Sequence, residues 1–365
     1  MNTYFGDVFE NIFGIWFYAF ASISAVVGVI IANKVNRRIF LIIWVAMGIS
    51  STLSLLFFSG YIFSVIISVF FGISLGLGLP SSLSCMADST DIGERGRVSG
   101  AIVLASFIMA FFTPIIAGLL SLGITAAILL TAAVRSTSLI ALIFDPCAKT
   151  KNDLRITFNA SKNFIFYLFP WVVFVITAGA VFYIIPASSD YTQALKVGSM
   201  LRFGCIAVFG FITGIVADRF GRKLPLIIGL VMFYTSFTLV GFEMNPTTAM
   251  IFYLATGVAW GSLLVVFLSV PGDLSTSNSR AKYYAAGLML PIIILLGLTS
   301  GPTPDLLANL AKGSSMVILS FALFLTLLPI LRAKETLPEE KIKERKMKEY
   351  LEKLGKTIIN SEKNG

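Results

Sequence analysis

The sequence contains no histidine. Histidine metal ligands and histidine proton relays are therefore excluded anywhere in the chain. Charge is scarce too: 13% of residues are charged and 56% are hydrophobic, with a mean hydropathy of +0.88. Such a composition excludes a soluble protein. Cysteine is limited to Cys85, Cys147 and Cys205, and an odd count without framework spacing argues against structural disulfides. No carboxylate falls in the middle of any apolar run, so no proton-coupling acid is visible. Gly355-Lys356-Thr357 lacks the upstream glycine and preceding strand of a phosphate-binding loop. Nucleotide hydrolysis is not indicated, and no cofactor or metal is expected. The net charge of +9 is not a nucleic-acid signal, because the basic residues sit in short loops and a tail.

What is present is a series of apolar runs of roughly 20 residues, long enough for a ~30 Å bilayer core. Helices are the default there, since each satisfies its own backbone hydrogen bonds, and the ~10-residue alternation of a barrel is missing. Reading the runs between charged breaks predicts eleven helices: 9–32, 39–59, 61–86, 98–121, 124–144, 164–187, 195–217, 224–242, 248–270, 283–303 and 314–332. The fold class is thus an all-α integral membrane protein. Residues 1–145 form an N-terminal bundle of five helices and 146–163 a linker. Residues 164–332 form a C-terminal bundle of six helices, and 333–365 a charged tail. Basic residues cluster at 34–38, 95–97, 149–162, 219–223 and 280–282, and from Arg332 onward. These segments alternate correctly to share one side, so the positive-inside rule predicts a cytoplasmic linker and C-terminus. The tail carries Ile342, Tyr350, Leu351, Leu354 and Ile358 at near-helical spacing. A basic amphipathic helix on anionic lipid and a solvated tail both fit that pattern.

The chain repeats itself. Asp218-Arg219-Phe220-Gly221-Arg222-Lys223 and Asn33-Lys34-Val35-Asn36-Arg37-Arg38 both join long apolar runs, at a shift of 218 − 33 = 185. Asp88 with Arg95 matches Asp273 with Arg280 at the same shift, since 273 − 88 = 185 and 280 − 95 = 185. Gly72 and Gly76 match Gly257 and Gly261 likewise. The sixth helix begins near Asn163, and 163 − 185 precedes Met1, so the first copy lacks its first helix. Either the start codon is assigned too late or the protein has eleven helices. The late start is the expectation, because a missing helix opens a packed bundle.

Gly214-x3-Asp218-Arg219-x-Gly221-Arg222-Lys223 resembles the signature loop of the major facilitator superfamily. The residue types suit a tight membrane-surface turn. Gly214 permits close helix approach, Asp218 can cap the next helix or pair with a neighbour's arginine, and Gly221 allows the turn. The first copy is degraded: Val29, Asn33 and Asn36 replace the first glycine, the aspartate and the second glycine. Asp88…Arg95-Gly96-Arg97 and Asp273…Arg280-Ala281-Lys282 resemble the acidic-x6-Arg-Gly-Arg loops of the sugar-porter and metabolite–proton symporter branches. Lys334-Glu335-Thr336 echoes a Glu-Thr stretch found after the last helix there. No sugar-binding glutamine pair appears in the apolar runs.

The resemblance implies two helical bundles that rock about a midplane site. It also implies that Asp88/Arg95 and Asp273/Arg280 bridge to the signature loops as a cytoplasmic gate. Exposed pairs of that kind contribute about 0–1 kcal/mol each. The intact Asp218 loop makes the second half the stronger side of such a gate.

Two arginines fall inside apolar runs. Arg135 is near the middle of its run and serves a structural pair, a snorkelling role or an anion site. Arg202 lies 16 residues before Asp218, about 24 Å at helical rise, and is either a vestibule anion attractor or an interfacial arginine. Trp171, Tyr183, Tyr253 and Trp260 lie on helices that the resemblance places along the cavity, where packing and ligand contact are both open. The Asn159-Ala160-Ser161 sequon falls on the predicted cytoplasmic side and is set aside. The function expected is a monomeric plasma-membrane secondary transporter for an anionic or neutral polar small solute, with a proton as a candidate coupling ion. A non-transporting receptor or sensor that signals through the tail is the alternative. A membrane-embedded enzyme is disfavoured, because no cluster of buried cysteines or carboxylates is in view.

Overall fold

A computed structural model describes residues 2–32, 34–57, 61–119, 121, 123–143, 161–184, 192–243, 245–289, 291, 314–340, 343–344, 347 and 351. The linker 146–160, Asn33, and most of the tail lie outside them. The first half contributes α1 (Asn2–Ala32), α2 (Arg37–Ser54), α3 (Tyr61–Ser89), α4 (Arg95–Leu119) and α5 (Ile124–Ile143). The second contributes α6 (Lys162–Ile184), α7 (Thr192–Phe220), α8 (Lys223–Phe242), α9 (Pro246–Asp273), α10 (Arg280–Tyr284), α11 (Ser314–Phe324) and α12 (Leu327–Arg332). By length and composition, seven helical segments among the described residues can cross a membrane, and three shorter apolar ones accompany them.

Local chemistry sets the ends. The Asn36 side chain accepts from the Arg38 amide at the start of α2. Asn245 and Thr248 form a reciprocal capping box at the start of α9, with Pro246 in its first turn. Gly221, at φ +98°, turns the chain between α7 and α8 in a conformation that suits glycine.

Three helices extend past the sequence expectation. α3, α7 and α9 end at Ser89, Phe220 and Asp273 rather than at 86, 217 and 270. Asp88, Asp218 and Asp273 therefore stand in final helical turns, not in loops. A carboxylate there is opposed by the helix dipole, which is why a charge looks like a helix end in sequence. Arginines offset that cost, as described below. The predicted run 283–303 begins, in its described part, as α10 followed by a π-helical turn at Ala285–Met289. Pro291 supplies no amide hydrogen to the Gly287 carbonyl four residues earlier. The run 314–332 breaks at 325–326, where Pro329 leaves the Leu325 carbonyl without its helical donor. Cys85 is disulfide-bonded, against the expectation from the odd count, and Cys205 is the free thiol.

The repeat holds at the level of single atoms. α1 packs along α3, and α7 along α9. A Cβ on Gly72 would lie 2.2 Å from the Phe17 carbonyl oxygen, and one on Gly76 would lie 1.9 Å from that of Ala21. On Gly257 and Gly261 a Cβ would meet the Arg202 and Ile206 carbonyls at 2.8 and 2.7 Å. The partners obey the same shift: 202 − 17 = 185 and 206 − 21 = 185. Both helix pairs are thus the same backbone-to-backbone contact.

The largest apolar core belongs to the second half. There Tyr167, Trp171 and Phe174 of α6 pack against Leu230, Phe233 and Phe237 of α8 and against Phe267 of α9. The two halves meet where α4 runs along α7. Gly214 faces the Gly96 carbonyl and the Gly100 Cα, at 2.5 and 3.0 Å from where its Cβ would be. Close approach at Gly214 is therefore between the halves, not only within one.

Candidate functional site

The conspicuous polar cluster lies at the end of the bundle that carries the basic loops. Two aspartates organise it, and each is held by one arginine from its own half and one from the other. Asp88 accepts from Arg37 at 2.9 Å and from Arg280 across the halves. Asp273 accepts from Arg222 at 3.1 Å and from Arg95 across the halves at 2.5 Å. Every member maps onto its counterpart: 88 + 185 = 273, 37 + 185 = 222 and 95 + 185 = 280. Arg37 and Arg222 come from the signature loops, so the expected loop bridges exist. Arg95 and Arg280 each cross to the aspartate of the opposite half.

Asp218 links its own loop to the other half. It accepts from the Gly96 and Arg97 amides, both at 2.9 Å. It thereby caps α4 of the other half rather than the helix that follows it. Arg222 bridges Asp218 at 2.8 Å, and Arg97 reaches it at 3.2 Å. The Arg222 guanidinium also donates to the Ile92 carbonyl at 2.8 Å. Burial by itself lowers the proton affinity of Arg222; Asp273 and then Asp218 reverse this and hold it above the ordinary arginine range.

Burial differs sharply between the two aspartate centres. The Arg95, Asp273 and Arg222 side chains are 0–1% exposed, whereas those of Arg37, Asp88 and Arg280 are 12–16% exposed. The expectation of exposed, weak pairs therefore fails for the second centre. In that centre, removing one partner strands a buried charge, a loss of about 3–5 kcal/mol.

The tail completes the second centre. Glu335 accepts from the Arg222 and Lys223 amides at 2.7 and 3.1 Å, and the Thr336 hydroxyl donates to Asp273 at 3.1 Å. The Lys223 ammonium caps the last turn of α12 by donating to the Leu331 and Ala333 carbonyls. Glu335 and Thr336 are the site residues that sequence reasoning left as an echo; the Lys-Glu-Thr run after the last helix was the signal. Arg219 is exposed at the end of α7.

The other candidates are scattered. Arg202, on α7, lies over the Phe203 and Tyr253 rings at 5.3 and 5.9 Å. Trp260 packs against Trp171 and Phe174 at 5.6 and 4.8 Å between ring centres, so it belongs to the aromatic core. Arg135, on α5, donates to the Gly48 carbonyl at 2.6 Å and lies far in sequence from every other candidate. Tyr183 falls within α6, its side chain outside the described residues. Among the described residues no group of three or more cysteines and carboxylates could hold a metal.

A family model described as Major Facilitator Superfamily matches residues 1–290. The chain belongs to that superfamily. Its fold is similar to the crystal structure of the human organic anion transporter MFSD10, with a TM-score of 0.66 and 14% identity, covering 89% of this chain and 83% of that one. The proton:xylose symporter XylE, bound to 6-bromo-6-deoxy-D-glucose, gives 0.61 and 15% identity over 90% of this chain and 95% of its own. The multidrug transporter protein MdtP of Bacillus subtilis (strain 168) is 35% identical over 72 residues, which is 20% of this chain and 13% of that protein. Membership accounts for the membrane character and the paired halves. Members of the superfamily are transporters rather than enzymes.

Proposed function

We propose that this protein is a secondary transporter of the plasma membrane that moves a small solute by alternating access. The observation that carries this reading is the pair of cross-half bridges, Arg95–Asp273 and Arg280–Asp88. Contacts between halves at one end must part for that end to open, and equivalent contacts on equivalent residues suit a symmetric rocking motion. The two aspartate centres then act as a cytoplasmic gate between residues 1–145 and 164–332, with the linker and C-terminus cytoplasmic. An anionic or neutral polar solute is the class we propose, with Arg202 as its attractor in the vestibule. The organic anion and the xylose for which the two structurally similar transporters are named fall within it. The proton remains the candidate coupling ion.

The test is uptake into proteoliposomes against a panel of anions, cations and neutral polar solutes, with and without a proton gradient. Anion or neutral-solute flux is expected; flux of cations alone would overturn the Arg202 argument.

The docked tail supports a second reading, a sensor signalling through its C-terminus. Truncation after Leu337 separates the two, because it spares Glu335 and Thr336. A transporter keeps most of its flux in that variant, whereas a sensor loses its response.

A further inference from the structure

The repeat gives residues of one half a counterpart in the other, and at one point a residue touches its own counterpart. Gly272 of α9 maps onto Ala87 of α3, since 272 − 185 = 87. A Cβ built on Gly272 would lie 2.9 Å from the Ala87 Cβ. Equivalent residues of two paired copies meet only on the two-fold axis that relates them. The pseudo-two-fold axis of the molecule therefore passes between Ala87 and Gly272, and a single methyl group occupies it.

That point adjoins the buried aspartate centre. Gly272 directly precedes Asp273, as Ala87 precedes Asp88. Ala87 is 1% exposed, and its carbonyl accepts from Arg95 at 2.7 Å. The same guanidinium reaches Asp273 at 2.5 Å. A Cβ on Gly272 would also lie 3.3 Å from the Arg95 Cδ and 2.7 Å from the Tyr284 hydroxyl. Two of its three neighbours thus belong to the opposite half.

Backbone conformation does not ask for glycine here. Gly272 lies within α9, and among the described residues Gly221 is the glycine at positive φ. Space is what asks for it. The Tyr284 hydroxyl donates to the Leu268 carbonyl, one turn before Gly272, at 2.8 Å, and Tyr284 belongs to a buried cluster. The counterpart of Tyr284 is Ser99, since 284 − 185 = 99. Ser99 instead accepts from the Ser269 hydroxyl at 3.2 Å. A short serine goes with the Ala87 methyl, and a long tyrosine goes with bare Gly272. The two halves thus divide one volume unequally at the axis.

We propose that Gly272 is a positioning residue that sets how closely the halves approach at the cytoplasmic end, so that one added methyl there holds the Asp273 centre open. The inference rests on the alternating-access reading. It assigns the closed spacing to an uncharged contact on the axis, while the arginines and aspartates hold that spacing once it is reached. Packed interfaces are bistable rather than continuously deformable, so the excess volume appears as a larger open population.

The test is pulsed double electron resonance on the full chain in lipid nanodiscs. Spin labels are placed through Ile39→Cys and Leu224→Cys, with Cys205→Ser removing the free thiol. These label positions are counterparts, 224 − 185 = 39, and are 52% and 42% exposed near the starts of α2 and α8. Gly272→Ala should raise the ratio of long to short distances at least about fivefold, the scale of overpacking a filled site. Adding Ala87→Gly and Tyr284→Phe removes the methyl and the hydroxyl that the new Cβ meets, and should restore the parent distribution. General damage to α9 would not be repaired by two further deletions. Ala87→Val crowds the same point from the other half, and should open that end if Gly272→Ala fails to fold. An unchanged distribution in whichever of these folds would overturn the proposal, as would long distances that persist in the triple variant. Solute flux by the parent chain with an unmoved distance in Gly272→Ala overturns this inference alone. Labels that move as expected in a chain without flux support the axis contact and overturn the transporter reading.

Discussion

Asp88 and Asp273 occupy equivalent positions and bind equivalent arginines, yet one centre is wet and the other dry. What differs is the cover. Asp273 lies beneath the Thr336 hydroxyl, and its partner Arg222 also binds Asp218, the cap of α4. Asp88 has no aspartate beside it in the sequence repeat, because position 33 is asparagine. The same acid–arginine geometry therefore operates in two dielectric regimes. Ion pairs in water contribute little, while a buried pair resists loss of either member. One motif, written twice, gives a rigid clasp on one side and a looser one on the other.

Four experiments bear on that contrast, from the largest effect to the smallest. Asp273→Asn should destabilise the purified protein by about 3–5 kcal/mol, read as a large drop in melting temperature, because two buried arginines lose an acceptor. Asp88→Asn should cost only about 1 kcal/mol or less, since its partners are partly hydrated. Equal melting losses in these two variants would break the contrast. A double-mutant cycle on Arg95 and Asp273 should be strongly non-additive, and one on Arg280 and Asp88 less so; the reverse order would mean that burial does not set the coupling. Raising salt from roughly 0.05 to 0.5 M should narrow the effect of Asp88→Asn while leaving that of Asp273→Asn nearly unchanged. A salt response of equal size at both centres would remove the distinction.

Much of this was readable from the chain. Apolar run length located the helices, and the fixed shift paired the halves, down to the glycines that touch the opposite backbone. The loop charges of the candidate site were all flagged. Their pairing was not, because partners such as Arg95 and Asp273 are 178 residues apart and sequence spacing carries no information about which half a side chain will face. Burial was also hidden: a charged hexapeptide between apolar runs looks solvated until the tail is seen lying over it. Glu335 and Thr336 carried only a faint local signal, since their role depends on where the end of α12 returns to the bundle. Arg135 was visible as an oddity, but its hydrogen bond to the Gly48 carbonyl, 87 residues away, was not.

The seam between α4 and α7 has a consequence for motion. Gly96 and Gly100 face Gly214 with almost no side chain between them. At that end of the seam two bare backbones meet, whereas further along it Val103 seats against Gly210 and the Phe107 ring stacks on that of Phe203. The halves are held both by this apolar stretch, where Leu83, Ala87 and Val103 pack with Ile206, Val265 and Tyr284, and by the charges around the rim, especially the dry Asp273 centre. In the proposed alternating-access cycle the apolar stretch must repack and the latch at its edge must release, so substitutions in the latch should change how fast that end opens far more than how the two surfaces fit.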